Sequence, residues 1–296
     1  MATLISKDLS IVDDLASALV ESEGIYLNRD YKAIAEEYLT QERAIEQIEL
    51  FENEVNKVKD YDFKGKKFLE IGSGVGTLLV TARTKYGIDA YGIEPSEEEF
   101  TPFNEISSML FKEFNILGNI LVKGKAEKLP FEDESFDLVY STNVLEHVEN
   151  PEKVLNESLR VLKKGGFLQF VIPNYFSFWE GHYGIFWPCI TSKTLGKVYV
   201  KFLGLKPDYV NTLNLISPFY LQKVLKQSPY KYEVIGWGND IFKKRLGSGN
   251  YSDWASLKNL RLIVNLVQKF KIASLIASIL NLFGMYTPIV LTLRKN

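Results

Sequence analysis

The sequence predicts an α/β protein with a mainly parallel sheet covered by helices. Three observations lead to this class. Strand-like apolar runs alternate with helix-like runs through the middle of the chain. The first run leads into glycines at alternate positions, Gly72, Gly74 and Gly76. The second run ends at an acidic residue, Glu94, as is typical of ligand edges in such sheets.

Alternating periodicity predicts seven strands and the helices that connect them. The strands are expected at residues 68–71, 90–93, 120–124, 136–141, 167–172, 232–236 and 289–293. The main helices are expected at residues 77–86, 100–114, 151–162 and 218–227, and residues 164–166 are predicted to form a turn.

The chain divides into a helical extension, residues 1–60, and a sheet domain, residues 61–296. Helical patterns at about residues 9–21 and 30–58 of the extension are expected to pack over the ligand edge of the sheet. Two insertions interrupt the domain. An aromatic-rich stretch at residues 174–216 is predicted to be a cap, and residues 239–284 change from polar to apolar and basic.

Composition excludes several classes of protein. The 296 residues carry a net charge of −2, so nothing points to nucleic acid. The single cysteine, Cys189, excludes an internal disulfide, and only two histidines, His147 and His182, argue against a metal site. The N-terminus lacks the pattern of a signal peptide, so a cytoplasmic location is expected.

The glycine-rich loop predicts a bound nucleotide-like ligand. Glycine lets the backbone approach a ligand that any side chain would block. The spacing is G-x-G-x-G, which differs from the G-x-G-x-x-G of dinucleotide folds. Glu70, two residues before Gly72, would repel a pyrophosphate. A ligand with an amino group and no phosphate fits this loop better.

Three further segments lie where the ligand edge is expected. A carboxylate at Glu94 can accept hydrogen bonds from both ribose hydroxyls, although an exposed loop glutamate is the alternative. The backbone of Ala126 and the side chain of Glu127 are candidates for lining an adenine ring. After the fourth strand, His147 either faces the ligand or packs on the following helix.

These motifs occur in one order at suitable spacing, and together they resemble a class I S-adenosylmethionine (SAM)-dependent methyltransferase of the methyltransferase type 11 family. The resemblance covers about residues 66–173. It implies a Rossmann-like fold, a mainly parallel seven-stranded sheet with helices on both faces, SAM as cofactor and S-adenosylhomocysteine as product. The implied cofactor-binding residues are Glu70, Gly72, Ser73, Gly74, Gly76, Glu94, Pro95, Ala126, Glu127, Thr142, Asn143, His147 and Arg43.

Two positions depart from the family pattern or leave a choice open. Lys125 stands where the family usually has an Asp that reaches the adenine amino group, so this contact falls to Glu127. The family often uses an N-terminal helix residue on the SAM carboxylate, and either Arg43 or Tyr38 is suited to it.

The cap supplies the candidates for substrate chemistry. His182 lies two residues from Glu180 among aromatic residues, a pattern suited to a general base with an orienting carboxylate. Tyr175, Trp179 and Tyr183 would suit the flat face of a sugar. The alternative is that the aromatic residues close a small core and His182 is only a hydrogen-bonding residue.

The apolar and basic residues of 255–283 predict a surface helix. Its possible partners are a membrane, a second copy of the chain in a homo-oligomer, or the chain's own cap, which we favour. The run is too interrupted to span a membrane. Peripheral attachment to the inner face of the membrane is therefore the alternative to a purely cytoplasmic location.

The sequence predicts a methyltransferase that acts on a small molecule, with a sugar hydroxyl or cell-surface carbohydrate precursor as the first choice of acceptor. Methylation of a quinone-like or lipidic acceptor at the membrane is the second hypothesis. A non-catalytic SAM-binding regulator is the third. A dehydrogenase is disfavoured by Glu70 and by the glycine spacing.

Overall fold

A seven-stranded sheet forms the centre of the protein in the computed structural model. The structure describes residues 4–95, 97, 100–248 and 272–296. In the sheet, the strands follow the order β3-β2-β1-β4-β5-β9-β8, so the predicted fold class is confirmed. Their bounds are β1 Lys67–Ile71, β2 Asp89–Glu94, β3 Leu121–Lys123, β4 Phe136–Thr142, β5 Leu162–Ile172, β8 Tyr232–Gly236 and β9 Ile289–Lys295.

Ten α-helices and a small hairpin are found among the described residues. Strands β6 Trp179–Glu180 and β7 Ile185–Phe186 pair antiparallel, and residues Asp208–Asn211 form a 3-10 turn. The helices are α1 Ser10–Glu23, α2 Tyr31–Tyr38, α3 Gln41–Asn56, α4 Thr77–Tyr86, α5 Thr101–Glu113, α6 Pro151–Val161, α7 Lys193–Phe202, α8 Pro218–Gln227, α9 Asn239–Ser248 and α10 Ala273–Leu282.

The chain forms two compact units. The first unit comprises residues Met1–Phe170, Pro229–Ile235 and Thr292–Asn296. The second unit comprises residues Val171–Ser228 and Gly236–Leu291. The predicted boundary after residue 60 does not separate these units, and it stays a prediction.

Side chains fix where several helices begin. Asp30 caps α2, Asn150 caps α6 and Ser217 caps α8 by accepting a hydrogen bond from a backbone N–H of the first turn. Pro151 and Pro218 occupy the first position of their helices, where the missing N–H has no helical partner to lose. These signals are local, which explains why the starts of α6 and α8 agree with the sequence prediction.

Parallel pairing brings the carboxyl ends of the central strands to one edge. β1 pairs in parallel with β2, where Ile71 lies opposite Ile93, and with β4, where Ile71 lies opposite Ser141. Leu69 and Ile71 of β1 are fully buried, as a strand covered on both faces requires. The loops that follow β1, β2 and β4 therefore meet at the same edge.

The predicted helix over residues 30–58 is divided into α2 and α3. The break lies at Leu39 and Thr40, where the backbone of the N-terminal segment pairs with the chain. Leu4 bridges Thr40, and the N–H of Ile5 donates to the Leu39 carbonyl at 2.8 Å. Thr40 has an extended backbone (φ −84°, ψ 135°), so a long-range contact ends the helical pattern.

Helices α1 and α2 pack beside the glycine-rich loop, whereas α3, which was predicted as part of the same helix as α2, covers a face of the sheet. One apolar cluster contains Leu15 of α1, Ala35 of α2, Val75 of the loop and Leu110 of α5. The Ser6 hydroxyl also donates to the Glu113 carboxylate at 2.6 Å, which ties the N-terminal segment to α5. The burial of Val75 in this cluster therefore anchors the glycine-rich loop to the N-terminal helices and α5.

The predicted turn at residues 164–166 lies within β5, which begins directly after α6. Gly165 has φ +76°, a value that glycine adopts without strain. A Cβ on Gly166 would lie 2.7 Å from the carbonyl oxygen of Asp137. Glycine therefore tolerates the left-handed backbone at position 165 and allows close contact with β4 at position 166.

The predicted surface helix over residues 255–283 is described only in its last part, α10. Residues 249–271 lie outside the described residues. In α10, Ala273 and Ala277 are buried while Leu275, Ile279 and Leu282 are exposed. None of the helices that the structure describes is long and apolar enough to cross a membrane.

The face of the sheet under α3 is filled by aromatic rings, which provides a test of the fold. Phe51 of α3 is buried, with its ring 5.2 Å from Phe63 and 6.0 Å from Tyr140. We expect Phe51→Ala to lower the free energy of unfolding by about 3–5 kcal/mol, through lost burial and an unfilled cavity.

Urea unfolding followed by circular dichroism measures this loss. The matched control is Leu117→Ala, because Leu117 is 88% exposed, and its effect should stay within about 0.5 kcal/mol. Equal midpoints for the two variants would contradict the assigned packing of α3.

Candidate functional site

Backbone geometry at the glycine-rich loop requires glycine. The φ angles are +73° at Gly72, +52° at Gly74 and +78° at Gly76, all in the left-handed region. The N–H of Gly72 donates to the Ile93 carbonyl at 2.9 Å, and the N–H of Gly76 donates to the Ser73 carbonyl at 2.9 Å. The loop is therefore a fixed turn between β1 and α4.

The three glycines differ in the space beside them. A Cβ on Gly72 would clash with a methyl group of Val144, and one on Gly76 would lie 2.9 Å from the ring of Phe111. A Cβ on Gly74 would meet nothing within 4 Å. Packing explains the first and third glycines, whereas the middle one leaves the backbone open to an approaching ligand.

A fourth glycine, Gly92 in β2, supports the loop and was not predicted as a site residue. A Cβ there would lie 2.7 Å from the Ser73 hydroxyl oxygen and 2.7 Å from a methyl group of Leu79. Gly92 therefore lets the loop and α4 lie against the strand. The sequence could have indicated this residue, because Gly92 lies two residues before Glu94, which contacts the same loop.

Glu94 is bound to the glycine-rich loop. Its Oε2 atom accepts the N–H of Gly74 at 2.8 Å, and the carboxyl group is buried. Burial raises the pKa of Glu94 to about 7, although hydrogen bonds from the N–H groups of Gly74 and Ser73 oppose this shift. The carboxylate thus lies at the ligand edge with little hydration, where ligand hydroxyls could donate to it.

Glu70 is a second buried carboxyl group under the same loop. Its Oε2 atom has no hydrogen-bond partner among the described residues. Burial raises its pKa well above the ordinary value, the nearby charge of Glu94 raises it further, and Arg43 acts in the opposite direction. A cationic amino group from a ligand would stabilise this carboxylate.

Other buried polar atoms around the loop also have no partner among the described residues. They are the hydroxyls of Ser73 and Thr77 and the Oδ1 atom of Asn104. Asn104 lies on α5, and its amide nitrogen already donates to the Phe100 carbonyl at 2.9 Å. Buried polar groups are normally hydrogen-bonded, so these atoms fit a site that a polar ligand completes. Thr77 and Asn104 were not predicted, because hydroxyl and amide groups at those positions resemble ordinary helix residues.

The end of β4 lies at the same edge. The Ser141 hydroxyl donates to the Ile71 carbonyl at 3.0 Å and joins β4 to β1 directly before the loop. Asn143 is exposed and has φ +53°, a backbone shape that Asn tolerates better than most residues. The side chain of His147 is 37% exposed, with Nε2 3.9 Å from the buried Glu146. The predicted cofactor roles of Thr142, Asn143 and His147 stay predictions.

Hydrogen bonds and ion pairs hold the loop that is predicted to line an adenine ring. The Glu127 carboxylate accepts the backbone N–H groups of Glu149 at 2.8 Å and Asn150 at 3.3 Å. Lys125 binds Glu149 at 2.9 Å and Glu97 at 3.2 Å, and these carboxylates raise its pKa to about 12. Lys125 therefore connects loops of the first unit, and the adenine contact of Ala126 and Glu127 stays a prediction.

Arg43 and Tyr38, the two candidates for the SAM carboxylate, lie together. The guanidinium carbon of Arg43 is 4.4 Å from the centre of the Tyr38 ring, and Nη1 is 3.2 Å from Glu37. The positive charge of Arg43 also opposes the rise in the pKa of Glu70. The ring therefore orients the guanidinium near the glycine-rich loop, which keeps Arg43 a predicted ligand residue.

In the second unit, the predicted pair of His182 and Glu180 forms. Nδ1 of His182 lies 2.7 Å from Oε1 of Glu180, and the N–H of Tyr183 donates to Oε2 at 2.7 Å. Burial alone would raise the pKa of Glu180, but the charge of His182 and these hydrogen bonds outweigh it, and the pKa is lowered. Glu180 is therefore a buried anion that orients His182.

The predicted substrate-binding aromatic residues differ in exposure. Tyr175 and Trp179 are buried, and the Tyr175 ring meets Trp187 edge-on at 6.2 Å. Tyr183 is half-buried, and its hydroxyl donates to the Lys206 carbonyl at 2.7 Å. Tyr175 and Trp179 thus contribute to the apolar core of the second unit. This favours the alternative hypothesis that they close a small core. A substrate role stays a prediction for all three.

Comparison with known proteins agrees with this geometry. Residues 69–170 match the methyltransferase domain family of type 11. The match runs from β1 to β5 and includes the glycine-rich loop, Glu94 and the end of β4. This part of the chain is a class I SAM-dependent methyltransferase domain, as predicted, and SAM is the cofactor of that class.

Two curated relatives are similar over the same region. An uncharacterized protein of Methanocaldococcus jannaschii is 34% identical over 117 residues, which are 40% of this chain and 49% of that protein. Norajmaline N-methyltransferase of Rauvolfia serpentina is 36% identical over 110 residues, which are 37% of each chain. This chain therefore spans less than half the length of these relatives.

A solved structure extends the likeness to the whole fold. The geranyl diphosphate C-methyltransferase of Streptomyces coelicolor A3(2) covers 95% of this chain and 87% of its own, with a TM-score of 0.52. At 14% identity, this similarity concerns the fold alone.

The raised pKa of Glu94 provides a test by pH. Ribose hydroxyls donate to the ionised carboxylate, so we expect SAM to bind about tenfold more weakly at about pH 6 than at about pH 8. Glu94→Gln should weaken binding at about pH 8 by tenfold or more and lose most of this pH dependence. Isothermal titration calorimetry measures both effects. The control is Glu105→Gln, an exposed glutamate of α5, which should behave as wild type.

The same substitution should stabilise the ligand-free protein. The folded-state pKa lies above the unfolded value, so the unfolded chain loses its proton first and stability falls as the pH rises from about 4.5 through about 7. Glu94→Gln removes this penalty and should raise the free energy of unfolding at about pH 8 by up to about 3 kcal/mol. Lower stability of the variant at that pH would contradict the assigned burial.

Gly74 tests the open space at the loop. We expect Gly74→Ala to weaken SAM binding at least tenfold, because its Cβ would occupy the approach to the backbone. Gly65→Ala is a matched control, since Gly65 also has positive φ (+70°) and no atom within 4 Å of an added Cβ. Both variants should lose about 1 kcal/mol of stability, but only Gly74→Ala should lose affinity. Equal affinities in calorimetry would place the ligand elsewhere.

Proposed function

We propose that this protein is a SAM-dependent methyltransferase that acts on a small-molecule acceptor. The observation that carries the proposal is the glycine-rich loop joined to the buried carboxylate of Glu94, with the buried carboxyl of Glu70 directly below. A SAM-like ligand offers hydroxyls to the first carboxylate and an amino group to the second. The family match over residues 69–170 supports the same ligand.

Bound SAM supplies a methyl group on an activated sulfonium centre, so the chain's own residues mainly bind and orient. The backbone at Gly74 presents an open surface, and Glu94 accepts hydroxyl groups beside it. Glu70 receives a cationic group, while Ser73, Thr77 and Asn104 offer buried polar atoms that still lack partners among the described residues. Fixed placement of reacting groups is the main contribution such a site makes to the rate.

We further propose a hydroxyl acceptor, on a sugar or a cell-surface carbohydrate precursor, with His182 as general base. Because Nδ1 of His182 faces Glu180, Nδ1 carries the hydrogen in the neutral ring and Nε2 is the nitrogen that accepts a proton. Nε2 would accept the proton of the acceptor hydroxyl, while bound SAM would supply the methyl group and leave as S-adenosylhomocysteine. Tyr183, the least buried of the predicted substrate residues, is the aromatic residue best placed to contact such an acceptor.

A lipidic or quinone-like acceptor is the second candidate. It is favoured by the exposed apolar side chains of the second unit, among them Leu282 of α10 at 81% exposure. The relatives do not decide between acceptors, because one is named for an amine and another for a prenyl diphosphate.

Turnover tests the proposed activity. The protein with methyl-labelled SAM and a panel of sugar and quinol acceptors should release S-adenosylhomocysteine and label one acceptor class. Tight SAM binding without turnover on any acceptor would support a non-catalytic SAM-binding protein. Binding of NAD in place of SAM would overturn the assignment of the cofactor site.

His182 is tested on the acceptor that this panel identifies. We expect His182→Ala to lower kcat by about 100-fold or more, with the affinity for SAM unchanged, because proton removal and cofactor binding use different residues. Glu180→Gln should leave the imidazole ring of His182 in place. It should still lower kcat and shift the acidic limb of the pH–rate profile. Full turnover by His182→Ala would remove the proposed base and leave the proposed methyltransferase activity intact.

A further inference from the structure

Helix α7 of the second unit has two different apolar faces. Its inward face contains Gly196, which lies against the ring of Trp187, and Val200, which is fully buried. Its outward face contains Leu195 at 62% exposure, Val198 at 63% and Phe202 at 84%. Packing within the unit explains the first face and leaves the second unexplained.

The outward residues form one stripe. Leu195, Val198 and Phe202 are spaced three and four residues apart, which puts their side chains within about 60° of one another around the helix. They lie roughly opposite Gly196 and Val200. The apolar surface continues past the end of the helix through Leu203 and Leu205, which are 41% and 39% exposed.

Lysines form a row along one side of this stripe, with Lys201 nearest to it, and α7 itself contains no acidic residue. Lys193, Lys197 and Lys201 recur every fourth residue along α7, and Lys206 follows it. Between Glu180 and Asp208 the sequence contains four lysines and no Asp or Glu. The exposed surface of α7 therefore has an apolar stripe with a row of lysines beside it.

From these observations we propose that α7 is a docking surface for an anionic lipid membrane. A basic amphipathic helix lies in the membrane interface with its apolar side chains among the acyl chains and its lysines among the anionic headgroups. Single exposed side chains such as Phe202 enter lipid readily, whereas a protein partner would need a complementary pocket for each. The inference does not depend on the proposed methyltransferase activity.

Vesicle flotation tests the proposal on the full chain. At low salt, the protein should float with vesicles of phosphatidylglycerol and phosphatidylcholine, and not with phosphatidylcholine alone. Binding should fall steeply as salt is added, because each lysine contact is screened. Failure of the wild type to float with anionic vesicles at low salt would overturn the proposal.

Two sets of variants locate the contact. Lys197→Gln with Lys201→Gln should weaken binding to anionic vesicles by at least about tenfold. The control pair Lys223→Gln and Lys226→Gln, on exposed positions of α8 in the same unit, should weaken it much less. Phe202→Ser should also reduce binding about tenfold, whereas Leu117→Ser, at an equally exposed apolar residue of the first unit, should not.

Circular dichroism melting of each variant checks that it is folded, which is expected because the replaced side chains are largely exposed. Equal losses for the α7 and α8 pairs would show a general charge effect and overturn the assignment to α7. Light scattering tests the alternative that the α7 face is a dimer interface. If the wild type is a dimer that Phe202→Ser converts to a monomer, the α7 face is an interface between two copies of the chain and not a membrane surface.

Discussion

The hydrogen bond from the Gly74 N–H to the Glu94 carboxylate is the constraint on which the cofactor site depends. It joins the loop after β1, in which Gly72, Gly74 and Gly76 all adopt positive φ, to the end of β2. The bond also keeps a carboxylate in a buried place, where its charge is poorly stabilised and its pKa rises to about 7. A ligand with paired hydroxyls improves the environment of that charge.

Two buried carboxyl groups so close together also determine which ligands the edge accepts. The charge of Glu94 makes Glu70 harder to ionise, and Arg43 offsets only part of this effect. A phosphate would add negative charge to this poorly hydrated place. A ligand with a cationic amino group and neutral hydroxyls instead reduces the repulsion, which explains in physical terms why a glycine-rich loop in this setting favours SAM over a dinucleotide.

Much of the first unit could be predicted from the sequence because its determinants are local. The helix start at Pro151 depends on residues within a few positions. Gly72 and Glu94 could be recognised from their places at the ends of strands, although their contact partners, Val144 and Gly74, lie farther away in the chain. The break at Thr40 was missed because it results from pairing with Leu4, far away in the sequence. Asn104 was missed for a related reason, since only the fold shows that its amide oxygen is buried without a partner among the described residues.

The second unit was harder to predict because aromatic residues serve both cores and ligand sites. The contact between His182 and Glu180, which lie two residues apart around a hairpin turn, was predicted from the sequence and is present in the structure. It could not show that the rings of Tyr175 and Trp179 are buried whereas Phe202 points outward at 84% exposure. Exposure depends on the tertiary packing of α7, whose inward and outward faces are both apolar and therefore look alike in the sequence.

A crystal structure of the protein with S-adenosylhomocysteine would show directly whether Glu94 binds the ribose. We expect both ribose hydroxyls within hydrogen-bond distance of the Glu94 carboxylate, with the backbone of Gly74 in contact with the ligand and the ligand's amino group near Glu70. A ligand bound elsewhere, or one bound at this edge with no contact to Glu94, would contradict this expectation.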